Sequence, residues 1–341
     1  MQRYNGFILF ALGSLIVLGL SHGNLINAYI QITIMFIGIN IILSSSLNII
    51  NGYMGEFSCG HAGFMAVGAY VTSVLNMWLF ASDRVFGPPL LPPASAVLLF
   101  PVTLLAGGIA AALAGLLVAV PSFRTRGDYL AIITLAVNYI VKSSIENIQV
   151  IGGARGFMGM RKVVQSMSEV LDVPWVMIWV LIATGLSVWL IYRFVNSTYG
   201  KGIVAIRDDE IAAEIMSVNT QRMKMVAFML SSGLAGIAGG LFANILGYIN
   251  PGSFTIMKST EVMVMVYLGG MGSLSGSVLS AVGFTVLMEV LRPLQLFKWV
   301  VIPLLLIVLM LFRPEGILGN RELSDVFPRL KRWFGTEQGG K

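Results

Sequence analysis

GKGIVAIRDDEIAAEIMSVNTQRMK, residues 200–224, is the most charged and helix-prone segment of a chain that is otherwise rich in apolar residues. Long apolar runs flank it on both sides, at residues 173–195 and 225–248. A charged helix between two such runs suits the water at a membrane surface better than the hydrocarbon interior. The segment therefore predicts a membrane-embedded fold with one helix held outside the bilayer, within reach of another protein.

The composition supports the same class. Of 341 residues, 56% are hydrophobic and only 11% are charged, whereas a soluble domain carries about 25% charged residues. Several runs approach the ~20 apolar residues needed to cross ~30 Å of hydrocarbon. We therefore predict an all-α, polytopic transmembrane helical bundle of eight to ten segments with one cytoplasmic coupling helix. The net charge of +6 does not indicate nucleic-acid binding, because basic residues of membrane proteins collect in cytoplasmic loops.

The apolar runs predict where the spans lie. Residues 7–20 resemble the core of a signal peptide, but no A-x-A cleavage site follows, which favours an uncleaved first span. A Pro-rich turn at residues 87–93 and a long hydrophilic loop at residues 149–172 separate later runs. The other predicted spans are residues 26–50, 62–80, 94–120, 129–148, 173–195 and 225–248, with two or three more between 261 and 312.

The basic residues predict the orientation, because Lys and Arg favour the cytoplasmic side. The groups that can share that side are Arg3, Arg124 with Arg126, Lys201, Arg207, Arg222, Lys224 and the basic residues of the tail 313–341. This arrangement predicts cytoplasmic termini. The loop 149–172 then lies outside although it carries Arg155, Arg161 and Lys162. Either an external acidic partner uses these charges, or the loop crosses regardless of charge, as longer loops do.

The charged segment itself has an amphipathic pattern. On one helical wheel, an approximate apolar stripe faces away from the acidic residues; it comprises Ile203, Ile206, Ile211, Ile215 and Met216. Asp208 and Asp209 are expected to cap a short helix, of about two turns, that begins near Glu210. Such a helix either docks onto a partner or lies at the membrane interface without one.

The sequence contains no pattern that indicates an enzyme. It has no G-x-x-x-x-G-K-[ST] nucleotide-binding loop, and YGKG at residues 199–202 lacks the required spacing. His22 and His61 are the only histidines, and neither belongs to a metal-ligand motif, so we predict no metal and no cofactor bound by this chain. Cys59 is the only cysteine; its spacing from His61 would place the two side chains on different sides of a helix.

Glycine and small polar residues suggest a translocation path. MGEFS at residues 54–58 and MGSLS at residues 271–275 are similar phrases, which indicates either corresponding breaks in two structural halves or chance similarity in a Gly-rich chain. Unwound backbone is tolerated at membrane depth only where protein or a water-filled cavity surrounds it. The candidate path residues are Gly55, Ser58, His61, Glu261, Gly269, Gly272 and Ser275.

Two further patterns concern packing and charge. SSGLAGIAGG at residues 231–240 predicts close helix packing, either within the chain or with a partner. Lys142 and Glu146 are four residues apart and are expected to pair on one helical face. Glu261 and Glu289 are the carboxylates that an ion-coupled transporter would use.

Several motifs carry a family resemblance when taken together and in order. They are GEFSCGHAGFMAVGAY at residues 55–70, RGDYLAIITLA at 126–136, GG-x-x-G at 152–156, residues 200–240, YLGGMGSLSG at 267–276 and RPEGILG at 313–319. The chain resembles, over nearly its whole length, the second and longer membrane subunit of bacterial branched-chain amino-acid ABC importers. That resemblance implies a homologous partner permease, two cytoplasmic ATPase subunits that bind ATP and Mg, a periplasmic binding protein and a location in the inner membrane.

The resemblance also implies a role for the charged segment. The coupling helix of ABC importers often carries EAA-x-x-x-G, and Ala212 and Ala213 match its two alanines. Ile211 then stands at the glutamate position and Ser217 at the glycine position, so the match is partial. The implied ATPase-coupling residues are Arg207, Asp208, Asp209, Glu210, Ala212, Ala213, Glu214 and Ser217.

The resulting prediction is a transmembrane permease domain at residues 1–320, with the coupling loop at 196–224, and a cytoplasmic C-terminal tail at 321–341. Its function would be to translocate leucine, isoleucine and valine, delivered by a periplasmic binding protein and driven by the partner ATPases. The alternatives are a permease for urea or short amides, an ion-coupled secondary transporter, and a passive channel subunit.

Overall fold

The chain folds almost entirely into α-helices, as the sequence predicts. The computed structural model describes residues 5–23, 26–82, 87–123, 129–170, 173–312, 316–319 and 322. Its helices are α1 Asn5–His22, α2 Ala28–Asn48, α3 His61–Phe80, α4 Ala96–Ser122, α5 Tyr129–Asn147, α6 Met160–Val170, α7 Trp175–Val195, α8 Thr198–Asp208, α9 Glu210–Ile215, α10 Thr220–Leu246, α11 Ile256–Gly269, α12 Leu274–Val290 and α13 Lys298–Phe312.

Six helical segments of the described residues are long and apolar enough to cross a membrane. They are Ala28–Tyr53, His61–Phe80, Pro93–Ser122, Tyr129–Asn147, Trp175–Val195 and Thr220–Leu246, and shorter apolar helices occur at Phe10–His22 and Leu274–Val290. The fold is therefore a polytopic helical membrane protein. Three helices, α11 to α13, occupy the region after residue 250, which agrees with the upper end of the predicted two or three segments.

Helices α3, α4 and α10 form the most closely packed part of the bundle. Glycines permit this approach, since Gly68 of α3 lies directly against the backbone of Gly236 of α10. On its other side Gly236 packs against Ala111 of α4. The stretch 231–240 therefore packs within this chain, which is one of the two alternatives that its small residues left open.

The two ends of the bundle have different contacts. At one end, which we call the charged end, lies the connection 197–219 between α7 and α10. The Phe123 ring after α4 lies 5.8 Å from that of Phe228 near this end. At the opposite end, the ammonium of Lys162 donates to the Ser82 carbonyl at 3.1 Å, and Arg292 lies 5.0 Å from the Tyr29 ring. The predicted basic residues Arg3, Arg124, Arg126 and Arg313 lie outside the described residues, as does nearly all of the tail 321–341.

The hydrophilic loop 149–172 lies at the opposite end and has structure of its own. Its two-residue strand β1, Phe157–Met158, pairs antiparallel with β2, Tyr248–Ile249, which follows α10. Helix α6 is amphipathic and buries Met160, Val163 and Met167 against the bundle. The loop is thereby fixed to the end of the spans instead of extending freely into water.

Candidate functional site

The charged segment forms two helices, which corrects the single amphipathic stripe that the sequence suggests. Asp209 has extended backbone dihedrals (φ −160°, ψ 109°) and separates α8 from α9. Ile203 and Ile206 of α8 are buried against the bundle, whereas the three apolar residues after the break are exposed; they are Ile211, Ile215 and Met216. The pattern was wrong because one residue with extended backbone, Asp209, changes the direction of the second helix relative to the first.

Asp209 caps α9, as its position before an acidic residue predicts. Its Oδ1 accepts hydrogen bonds from the backbone amides of Ile211 at 2.9 Å and Ala212 at 3.0 Å. Glu210 occupies the first turn, where a negative charge is favourable. This cap compensates for the poor stability of an isolated six-residue helix, because so short a helix forms few internal hydrogen bonds.

The end of α9 contains a strained residue. Ser217 has φ 64°, and among the described residues it is the only non-glycine with positive φ. The turn is closed by backbone hydrogen bonds from Val218 to Ala213 (3.1 Å) and from Ser217 to Glu214 (2.9 Å). This is the position that the family pattern gives to glycine, and the left-handed backbone explains why glycine suits it.

Ser217→Gly is therefore expected to stabilise this turn by about 0.5–1 kcal/mol. The left-handed conformation costs a residue with a Cβ roughly 1–2 kcal/mol, and glycine avoids this cost. The greater flexibility of glycine in the unfolded chain offsets part of the gain. Amide hydrogen exchange of residues 210–218 should slow about two- to fivefold. Ser217→Val is the matched opposite and should accelerate exchange. Faster exchange in Ser217→Gly would contradict the assignment of strain to this residue.

Helix α9 presents an apolar face to solvent at the charged end. Ile211, Ile215 and Met216 are 68%, 77% and 78% exposed, whereas Ala213 is buried against the bundle. The side chain of Thr220 donates to the Glu214 carboxylate at 3.0 Å and ties the far end of α9 to the start of α10. The helix is thus held in a fixed place with large aliphatic side chains directed away from the chain's own core.

Two basic residues connect this segment to the bundle. The Arg207 guanidinium donates to the Gly52 carbonyl at 3.2 Å, and its aliphatic stem packs against Gly55. The Lys224 ammonium lies 2.7 Å from a Glu56 oxygen and 2.9 Å from a Glu210 oxygen. The expectation that residues 200–224 face water is wrong for Lys224. This residue lies in the second turn of α10, which begins at Thr220, and its side chain is 8% exposed between two carboxylates.

Both Met-Gly phrases interrupt helices, as the sequence suggests. Residues 54–60 separate the π-helical end of α2, Ile49–Tyr53, from α3, and residues 270–273 separate α11 from α12. Gly55 and Gly272, the glycines of the two phrases, both have positive φ, at 75° and 82°. We refer to residues 49–60, which include the π-helical turn, as the first break and to residues 270–273 as the second break. Their glycines are needed because an L side chain rarely adopts such a backbone.

The two breaks lie against each other, and Asn48 joins them. Its side-chain oxygen accepts from the Gly272 amide at 3.0 Å, and its amide nitrogen donates to the Ser273 carbonyl at 2.9 Å and to Ser277 Oγ at 2.8 Å. Gly52 packs directly against the Gly272 amide, so no side chain fits between them. Of the seven candidate path residues, three lie within the breaks and three more lie within two residues of them.

Buried polar atoms mark the first break. Ser58 and His61 are each 1% exposed, and neither Ser58 Oγ nor His61 Nδ1 has a hydrogen-bond partner among the described residues. His61 Nε2 lies 2.9 Å from Ser46 Oγ. Unsatisfied polar groups inside a membrane protein are costly, which favours a polar contact there with something other than the chain itself.

Three other carboxylates have definite partners. The Glu261 carboxylate pairs with Lys258 at 3.0 Å. Glu322 accepts hydrogen bonds from the backbone amides of Leu274 (2.9 Å) and Ser275 (3.0 Å), so it caps α12 at the second break. Lys142 and Glu146 pair at 3.6 Å, as their spacing predicts.

The sequence did not reveal three residues of this region: Asn48, Glu56 as an ion-pair partner, and Lys224 as a buried cation. The Lys224–Glu56 pair and the hydrogen bonds of Asn48 join positions 168 to 229 residues apart, which no local pattern encodes. A buried asparagine late in an apolar span is a signal that could have identified Asn48, because such a group requires a partner.

A bundle of apolar helices with a short capped helix outside it and paired breaks is compatible with a membrane transport protein of the permease class. The family described as "Branched-chain amino acid transport system / permease component" matches residues 29–312. This chain belongs to that family.

Individual relatives agree with this assignment. The high-affinity branched-chain amino acid transport system permease protein LivM of Escherichia coli (strain K12) is 31% identical over 325 residues, 88% of this chain and 71% of LivM. The probable LivM of Methanocaldococcus jannaschii is 21% identical over 89% of this chain and 96% of its own length. LivH of Salmonella typhimurium is 31% identical over 153 residues, 44% of this chain and 48% of LivH. No solved structure matches this chain.

Proposed function

We propose that this chain is the longer membrane subunit of an ABC importer that passes leucine, isoleucine and valine across the inner membrane. Its similarity to LivM over 88% of its length supports the transport of branched-chain amino acids more than that of urea or short amides. The same similarity does not favour an ion-coupled secondary transporter, and the pairing of Glu261 with Lys258 leaves that carboxylate poorly suited to ion binding.

The observation that carries the proposal is the exposed apolar face of α9. Covering water-exposed aliphatic side chains with another surface is favourable, by about 1.5–3 kcal/mol for each side chain that becomes fully buried. We assign the charged end to the cytoplasm and Ile211, Ile215 and Met216 to a cleft on an ATPase subunit. The coupling residues from Arg207 to Ser217 would position this face. Both termini would then be cytoplasmic.

The remaining partners complete the cycle. A homologous permease would supply the other half of the path, and a periplasmic binding protein would deliver the substrate at the opposite end. ATP and Mg would be bound by the ATPases. The two breaks would form part of the path, with Ser58 and His61 offering polar atoms to the passing amino acid.

The proposal is tested with the complete transporter in lipid vesicles. Exchange of Ile211 and Ile215 for Ser should weaken ATPase attachment by about a hundredfold, because two buried side chains contribute about 3 kcal/mol or more. Leucine uptake driven by ATP and loaded binding protein should fall accordingly, while the chain still inserts and purifies normally. Leu117→Ser is the matched control, since Leu117 is also 77% exposed but lies on α4.

Three outcomes would contradict parts of the proposal. Unchanged attachment and uptake in the double variant would remove α9 as the docking helix. Uptake that needs no ATP and disappears with an ionophore would replace the importer by an ion-coupled transporter. ATP-driven uptake of urea in place of leucine would change the substrate class.

A further inference from the structure

Lys224 lies where three elements of the charged end meet. It belongs to the second turn of α10, its side chain is 8% exposed, and its ammonium lies 5.9 Å from the centre of the Phe123 ring. One oxygen of Glu56, in the first break, is 2.7 Å away. One oxygen of Glu210, the first residue of α9, is 2.9 Å away. A single buried ammonium therefore pairs with one carboxylate of α9 and one carboxylate of the first break.

The charge balance makes this arrangement sensitive to movement. A buried ammonium is costly unless it is paired, and here both partners are more exposed than the cation. If α9 moves outward, the distance between Lys224 and Glu210 increases, and the Lys224 ammonium is then paired with Glu56 alone. The lysine has a flexible four-carbon stem and can follow one carboxylate or the other. The position of α9 thereby changes the force on the first break.

A second connection joins the same two elements. Arg207 lies one residue before the end of α8 and donates to the Gly52 carbonyl at 3.2 Å, while its stem covers Gly55. Gly55 has positive φ and leaves no room for a side chain against Arg207. The extended residue Asp209 is therefore flanked by Arg207, which contacts the segment 52–56 directly, and by Glu210, which is connected to Glu56 through Lys224.

We propose that Lys224 is a positioning residue that transmits displacement of α9 to the first break by exchanging its contacts between Glu210 and Glu56. This inference rests on the proposed function, in which α9 docks onto an ATPase. It goes further because it names the internal connection between the docking helix and the path. Neither the exposed face of α9 nor the unpartnered atoms of Ser58 and His61 requires that connection.

The test measures coupling in the complete transporter in vesicles, as leucine molecules taken up per ATP hydrolysed. Glu56→Gln is expected to lower this ratio by about tenfold, within the range that coupling between sites commonly spans. ATPase attachment should be unchanged, because the face of α9 is intact, and hydrolysis should lose its stimulation by loaded binding protein. Lys224→Arg should retain most of the coupling, because it keeps a cation between the two carboxylates.

Two further variants separate transmission from mere stabilisation. Glu56→Gln with Lys224→Met removes both charges, so it avoids a buried cation paired with Glu210 alone if the single variant folds poorly. The coupling ratio of the double variant should be equally low. Glu146→Gln is the matched control, because it breaks the Lys142–Glu146 pair in the last turns of α5, next to the loop at the opposite end of the bundle, and should leave the ratio unchanged.

The results distinguish this inference from the function on which it rests. Loss of thermal stability with a wild-type coupling ratio in Glu56→Gln, or in the double variant, would overturn the role of Lys224 while leaving the importer intact. Failure of the unaltered chain to bind ATPases or to take up leucine would instead overturn the proposed function.

Discussion

Gly68→Leu is expected to prevent this chain from reaching a stable folded state. A Cβ at Gly68 would overlap the Cα and the carbonyl oxygen of Gly236, and backbone atoms cannot move aside as a side chain can. Helices α3 and α10 would have to separate at this contact. Overpacking against movable neighbours already costs about 1–3 kcal/mol, so we expect a larger loss here, enough to remove much of a typical protein's stability.

The measurement is the yield of monodisperse protein in mild detergent, followed by its thermal unfolding. Gly68→Ala should lie between the wild type and Gly68→Leu. Gly283→Leu is the control, because Gly283 is also helical but a Cβ there would meet no atom within 4 Å. Wild-type melting of Gly68→Leu would show that the two helices do not approach as closely as described.

This contact also shows what the sequence could predict. A glycine-rich stretch between residues 231 and 240 predicts a close helix contact, because small residues allow backbones to meet. It does not name the partner, since Gly68 and Ala111 lie in other apolar runs that have the same composition. Span positions were predictable for a similar reason. A helix that crosses the hydrocarbon needs a minimum length of apolar sequence, and such a run can be recognised from neighbouring residues alone.

The short helix outside the bundle was predictable in part. An aspartate before Glu210 signals a helix start, and Asp209 does cap α9. The extended backbone of Asp209 itself was not predictable from periodicity, because a segment of about 20 residues fits either one helix or two shorter ones. Tertiary contacts decide between them: Arg207 fixes the end of α8 on Gly52, and Lys224 fixes the start of α9.

The two breaks were suggested by repeated phrases, but their adjacency was not. Positive φ at Gly55 and Gly272 follows from the preference of glycine for that region. Their contact depends on Asn48, which is 224 residues from Gly272 in the chain. A polar residue in an apolar run indicates that a partner exists, and only the folded bundle identifies it.

Asn48→Ala should be the most damaging single change at the junction of the breaks. Asn48 is fully buried, and its side chain makes two hydrogen bonds to the second break and one to Ser277 of α12. Alanine would leave the Gly272 amide without its partner in a dry environment, which costs about 1–3 kcal/mol, and the lost side-chain volume adds to this. We expect a total loss of about 3 kcal/mol in the free energy of unfolding.

Transport should decrease more than stability alone explains, because the second break would no longer be held in place against Gly52. Leucine uptake in vesicles at equal protein content measures this effect, and thermal unfolding measures the stability loss. Asn40→Ala is the matched control on the same helix, since Asn40 makes one hydrogen bond, to Thr285 at 2.9 Å, and should cost about 1 kcal/mol. If the two variants were equally stable and equally active, Asn48 would be an ordinary buried amide, and the breaks would be held together by the Gly52–Gly272 contact alone.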